Sequence, residues 1–178
     1  MSEKELIEGC IKEDRNCQME LYKRFSAKMM AVCLRYSQNK MEAEDMLQEG
    51  FIKVFDHIAQ FKQQGSLEGW VRRIMVNTSL NKIRQNKMEF NDINSVEYHI
   101  VNDDSSAIEK LSEKDLLNLI NDLPKGYKYV FNMYAIEGYS HKEIAESLGI
   151  EEASSRSQYA KAKKYLQEKI YKLEKINI

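Results

Sequence analysis

Ser140-His141-Lys142-Glu143-Ile144-Ala145-Glu146-Ser147-Leu148-Gly149-Ile150 is the stretch that decides the fold. It opens on a capping box. Ser140 stands at the cap and Glu143 three residues on, so each side chain can close a backbone N–H left over at a helix start. Ile144 and Leu148 give a buried side, and Ala145 is small enough for two helices to cross closely. Gly149 follows where the turn needs a positive φ, and Ile150 plugs the core. A second helix is expected from near Glu151 to Leu166, with Tyr159, Ala162 and Leu166 inward. Its outer face carries Ser154, Ser155, Arg156, Ser157 and Gln158, then Lys161, Lys163 and Lys164. Short side chains let a helix sit deep in the major groove. Arg156 and Gln158 can then read base edges while the lysines reach phosphates. The pattern reads as a DNA-binding helix-turn-helix; the plainer alternative is an antiparallel helix pair with a glycine turn. One position departs from the motif. Ser155 stands where an aliphatic residue packs inward, and Tyr159 is expected to take over that packing.

Outward from this motif, the chain of 178 residues holds only 7 Gly and 1 Pro, which leaves little room for tight β-turns and favours long helices. Met19, Tyr22, Phe25, Met29 and Cys33 recur at three- and four-residue steps, an amphipathic stripe. A second helix should start after Lys40, acidic at its head through Glu42, Glu44 and Asp45, with Met46, Leu47, Gly50, Phe51, Val54 and Phe55 as its apolar face. Lys62-Gln63-Gln64-Gly65-Ser66 is a break, and Ser66 can cap the next helix, with Gly69 in its third position. That helix runs from about Leu67 to Gln85 with Trp70, Ile74, Thr78 and Ile83 as its expected buried side. Asn86 to Ser106 has no clean period and reads as a linker. A helix over about Ile108 to Leu123 is stopped by Pro124, and another spans about Tyr127 to Ile136.

Net charge is −1, but its distribution is uneven. Residues 1–87 carry 15 Lys/Arg against 12 Asp/Glu, residues 88–120 carry 2 against 8, and residues 121–178 carry 10 against 8. Lys62 to Lys87 and Arg156 to Lys175 are each locally five charges positive, the footprint that phosphate binding needs, or else a solvated helix face. Cys10, Cys17 and Cys33 are an odd set without a CxxC pair, so reduced thiols are expected. They and His57, His99 and His141 have no zinc-site spacing, so no metal and no cofactor are expected. No apolar run is long enough to span a bilayer and the N-terminus lacks a signal-peptide core, which places the chain in the cytoplasm. With no phosphate-cradling glycine loop and no nucleophile–base spacing, an enzyme is not expected.

Three segments in order resemble one family, the extracytoplasmic-function (ECF) group of bacterial sigma-70 factors. Ala43-Glu44-Asp45-Met46-Leu47-Gln48-Glu49-Gly50-Phe51 is similar to its core-polymerase-binding helix. Trp70-Val71-Arg72-Arg73-Ile74-Met75-Val76-Asn77-Thr78, on to Asn81 and Arg84, resembles its −10 recognition helix. Leu123-Pro124, Val130-Phe131, Glu137-Gly138-Tyr139-Ser140 and Glu143-Ile144-Ala145 to Leu148-Gly149-Ile150 are similar to its −35-binding domain. Glu151, Ala153 and Ser155 depart from that domain's usual Ser, Gly and aliphatic residue.

The resemblance implies an all-α protein of two helical domains. Residues 1–87 would bind core polymerase and the −10 element, residues 88–107 would be a flexible acidic linker, and residues 108–178 would bind the −35 duplex. Asp45, Gln48 and Glu49 share one helical face with Ile52 after them, the face the resemblance puts on polymerase. Lys62, Gln63, Gln64, Gly65 and Ser66 form a polar loop suited to trapping an unstacked base of the melted −10 strand. Arg73, Asn77, Asn81 and Arg84 extend that surface, whereas Trp70 is assigned to the core. The implied partners are core RNA polymerase, promoter DNA and an anti-sigma factor. The rivals are a stand-alone helix-turn-helix regulator, which would bind operator duplex without polymerase, and a helical adaptor with no DNA role.

Overall fold

A computed structural model describes residues 1–85 and 113–176, and the described residues are helices and their connections, without strands. The linker expected over 88–107 and the start of the helix expected at Ile108 lie outside the described residues. The chain divides into two compact units, residues 1–88 and 89–178.

In the first unit, α1 (Glu3–Ile11), α2 (Arg15–Tyr36), α3 (Lys40–His57) and α4 (Leu67–Gln85) follow one another, with a 3-10 turn at Ile58–Gln60. Each early helix begins where the sequence supplies an oxygen. The Ser2 hydroxyl accepts from the Glu5 N–H at 3.2 Å, and the Glu5 carboxylate accepts from the Ser2 N–H at 2.7 Å. Asp14 caps α2 through the Cys17 N–H at 2.9 Å, and Asn39 caps α3 through the Glu42 N–H at 2.9 Å. The sequence reading placed no helix over Met1 to Gly9. The Ser2–Glu5 box is the signal that marks a helix there, and α1 buries Leu6, Ile7 and Cys10.

α2, α3 and α4 pack on one another and α1 packs on α2. The core takes Leu21, Phe25, Met29, Val32, Cys33 and Tyr36 from α2, and Ala43, Met46, Leu47, Phe51 and Val54 from α3. α4 adds Leu67, Val71, Met75, Val76, Leu80 and Ile83. Gly50 is buried on α3 and faces Met75 of α4. A Cβ there would run into Met75 Sδ, so the Met75 side chain would have to shift to admit one.

Two expected stripes hold only in part: Phe25, Met29 and Cys33 on α2 and Thr78 and Ile83 on α4 are buried as expected, but their other members are not. Met19 and Tyr22 are half-exposed, because Leu21 and Phe25 set the inward line of α2. Trp70 and Ile74 lie only partly buried at the core's edge, because α4 points Val71 and Met75 inward. An edge stripe and a core stripe share the same four-residue step, so periodicity alone does not separate them.

In the second unit, α5 (Glu113–Asn121), α6 (Lys125–Phe131), a π turn (Asn132–Ile136), α7 (His141–Leu148) and α8 (Glu152–Ile176) follow in order. Pro124 stands just before α6, where its missing N–H costs nothing. Leu123, Tyr127 and Ala162 form a cluster flanked by Ile120, Phe131, Tyr165 and Leu166. α8 continues well past the expected end at Leu166.

Candidate nucleic-acid and protein interfaces

On α3, Met41, Asp45, Gln48 and Ile52 fall at i, i+4, i+7 and i+11, a single outward line. All four are exposed. Ile52 keeps 60% of its surface and Met41 72%, although both are large and apolar. An acid and an amide are thus bracketed by two bare hydrophobes, the make-up of a protein-binding face. Met41 was missed by the sequence reading because it precedes the recognised segment. The acids have partners already: Asp45 pairs with Lys82 of α4 at 3.4 Å, and Glu49 with Lys53 at 2.6 Å. Solvent-facing pairs of this kind contribute little, so a partner's cations can displace them.

The segment between α3 and α4 exposes Lys62, Gln63, Gln64, Gly65 and Ser66. Gly65 has φ +101° and Gln63 φ +56°, so the loop holds one residue with a side chain in the left-handed region. Ser66 Oγ accepts from the Gly69 N–H at 3.1 Å and thereby caps α4. Phe61 and Trp70, which flank the loop in the chain, pair with ring centroids 5.5 Å apart, and both are only partly buried, so Trp70 stands at the core's edge rather than in the core role expected of it. Along α4, Arg73, Asn77, Asn81 and Arg84 are exposed at i, i+4, i+8 and i+11, again one line. Two amides stand between two guanidinium groups next to a polar loop, which suits base edges flanked by phosphates.

The helix-turn-helix takes shape around α7. Ser140 Oγ accepts from the Glu143 N–H at 3.3 Å, and the Glu143 carboxylate accepts from the Ser140 N–H at 2.9 Å. Gly149 ends α7 at φ +68°, and Ile144, Ala145 and Leu148 are buried. On α8, Arg156, Ser157 and Lys161 are exposed, and Ser154 and Lys164 partly so. Ala153, noted above only as a departure from the usual Gly, and Ala160, which the sequence reading did not single out, are exposed on the same helix and keep this face shallow. Arg156 is held by Glu152 one turn earlier.

Two residues expected on the DNA face are not there. Ser155 has no exposed surface, and its Oγ lies 3.0 Å from His141 Nδ1 on α7. Gln158 turns sideways: its buried Oε1 lies 3.1 Å from where a Gly126 Cβ would stand, against the start of α6. Helical rotation puts both off the outward line of Ala153, Ser157, Ala160 and Lys164. Tyr159 packs as expected, stacking with Phe131 at 5.9 Å and meeting Tyr134 at 4.5 Å.

Cys10 and Cys33 are buried, and burial pushes each thiol up to about 11, so both stay protonated and unreactive at neutral pH. Among the described residues no cluster of His, Cys, Asp and Glu could hold a metal. No described helix is long and apolar enough to cross a membrane.

Comparison with known proteins follows the same two surfaces. Residues 21–89 match the Sigma-70 region 2 family, and residues 113–166 match the Sigma-70, region 4 family. The ECF RNA polymerase sigma factor SigE of Mycolicibacterium smegmatis is 28% identical over 158 residues, spanning 86% of this chain and 61% of that protein. The ECF RNA polymerase sigma-E factor of Haemophilus influenzae is 26% identical over 188 residues, covering 97% of each chain. In fold, the chain is similar to the Bartonella quintana sigma factor RpoE, solved in complex with the anti-sigma factor NepR. The TM-score is 0.53 at 20% identity, over 86% of this chain and 96% of that one.

Proposed function

The chain belongs to the ECF group of the sigma-70 family, and from that premise we propose how its residues divide the work of starting transcription. As a sigma factor it recruits core RNA polymerase to specific promoters and helps open the −10 region. The α3 line of Met41, Asp45, Gln48 and Ile52, with Glu49 beside it, docks on polymerase. The exposed hydrophobes supply contact area and Asp45 supplies register. Lys62, Gln63, Gln64, Gly65 and Ser66 take an unstacked base of the melted −10 strand, while Asn77 and Asn81 read edges and Arg73 and Arg84 hold the backbone. Ser154, Arg156, Ser157, Lys161 and Lys164 bind the −35 duplex, with Arg156 leaving Glu152 for a base or phosphate.

Residues 1–87 and 108–178 are thus two binding ends, joined through an acidic linker at 88–107. The protein acts in the cytoplasm, where polymerase is, and an anti-sigma factor covering the same docking faces would hold it inactive. It carries out no catalysis of its own.

The observation that carries this reading is the pairing, on one small unit, of a bare apolar-acidic line on α3 with an amide-guanidinium line on α4. A stand-alone helix-turn-helix regulator needs neither. Run-off transcription with core polymerase tests it. The expected result is a defined transcript only when the chain is added, lost with Asn77→Ala plus Asn81→Ala. Failure to direct initiation from any promoter selected with the chain would count against the reading.

A further inference from the structure

The buried serine of α8 and the histidine at the head of α7 are each unusual, and the structure puts them together. His141 Nδ1 and Ser155 Oγ share a 3.0 Å hydrogen bond between the two helices of the DNA-binding motif. The His141 ring lies flat on Tyr134, with centroids 4.3 Å apart and planes 12° apart, so its plane is set by the π turn. Tyr159 of α8 closes the group, 5.9 Å from the His141 ring and 4.5 Å from Tyr134. Three elements therefore converge on one imidazole.

We infer that His141 and Ser155 form a polar latch that fixes the rotation of the recognition helix, making them positioning residues for −35 recognition. An aliphatic residue at the buried position would hold α8 by shape alone, and apolar contacts are non-directional. A hydrogen bond has a required length and angle, so it selects one seating of the helix. Arg156 and Ser157 follow Ser155 directly in the chain, so a small turn of α8 at Ser155 re-aims both. Sites need their reading groups held within about 0.5 Å, which gives a single directional contact leverage over specificity. The latch also accounts for a hydroxyl with no exposed surface in the first turn of α8: its partner is the imidazole.

This inference rests on the −35 reading above, and the test keeps the two apart. Thr and Val have the same shape and differ in the hydroxyl, so Ser155→Thr and Ser155→Val isolate the hydrogen bond from packing. Each is made with His141 present and with His141→Phe, which keeps the stack on Tyr134 and removes the nitrogen. Run-off transcription by the full chain with core polymerase is compared on a promoter with an intact −35 element and on one with that element scrambled.

With His141 present, Ser155→Thr should hold the ratio of the two outputs, and Ser155→Val should lower it by about threefold to tenfold, the range one hydrogen bond can supply. With His141→Phe, the Thr and Val variants should give equal ratios. Equal ratios with His141 present, or a difference that survives His141→Phe, would overturn the latch while leaving the −35 reading intact. A wild-type ratio of one would overturn both. Urea denaturation of the same full-length variants guards against overpacking: a Thr–Val difference in midpoint that disappears with His141→Phe supports the contact, and its absence overturns it.

Discussion

At His141, burial first and the Arg156 guanidinium second hold the imidazole below its ordinary value of 6.5, while Glu152 pulls the other way. The groups facing it are Tyr134 from the π turn and Glu152, Ser155, Arg156 and Tyr159 from α8. A lowered folded value means that the unfolded chain takes the proton first. The stability of the second unit is therefore full above pH 6.5, falls as pH drops from there toward the folded value, and levels off below it. Thermal melts between about pH 7.5 and about pH 5.5 should show this loss in the wild type and not in His141→Phe. Ser140 gives a second prediction. Ser140→Ala removes the hydroxyl that accepts from the Glu143 N–H and should cost the second unit about 1 kcal/mol in chemical denaturation. Residue identity made Ser140, Glu143 and Gly149 legible from sequence, because a cap and a positive φ depend on local chemistry. Ser155 and Gln158 were misplaced for the opposite reason. Which way a polar side chain turns near a helix edge depends on the neighbour across the packing, here His141 and Gly126.

Among the elements, α3 shows most directly how one helix serves two sides. Its inner line of Met46, Leu47, Phe51 and Val54 is core, and its outer line of Met41, Asp45, Gln48 and Ile52 is bare. Ile52→Asp should leave folding intact, since the side chain is already 60% exposed. The same change should weaken capture of core polymerase by about tenfold or more, as loss of an apolar anchor does. Pull-down titration with circular dichroism on the same sample checks both. Gly50→Ala tests the inner side. The new Cβ would meet Met75 Sδ, so the first unit should lose about 1–3 kcal/mol in urea unfolding despite the better helix propensity of Ala. α3 was readable because its two lines differ in chemistry. α4 was readable as a helix but only half in its phase: Thr78 and Ile83 are buried as expected, while Trp70 and Ile74 repeat as regularly as the Leu67–Val71–Met75 line that takes the core. α8 was found and its end was not: beyond Leu166 it runs on through Tyr171 and Leu173, which are half-exposed, with no breaker to mark a stop.

For the whole molecule, the two units carry separate binding faces, and each face is modest on its own. The acids on α3 are paired within the unit, Arg156 is paired to Glu152, and Glu151 and Glu152 put negative charge beside the DNA face. Such ends bind well only when held together, because a second contact made within one assembly gains effective concentration without any new interaction. Polymerase is the partner that would hold them, which is what separates a sigma factor from a stand-alone DNA binder. Promoter affinity measured with and without core polymerase, at one fixed salt concentration, tests this most directly. The free chain should bind promoter duplex weakly and no better than scrambled duplex, and core polymerase should raise promoter affinity by about a hundredfold or more. Tight, sequence-specific binding by the free chain, unchanged by polymerase, would contradict it.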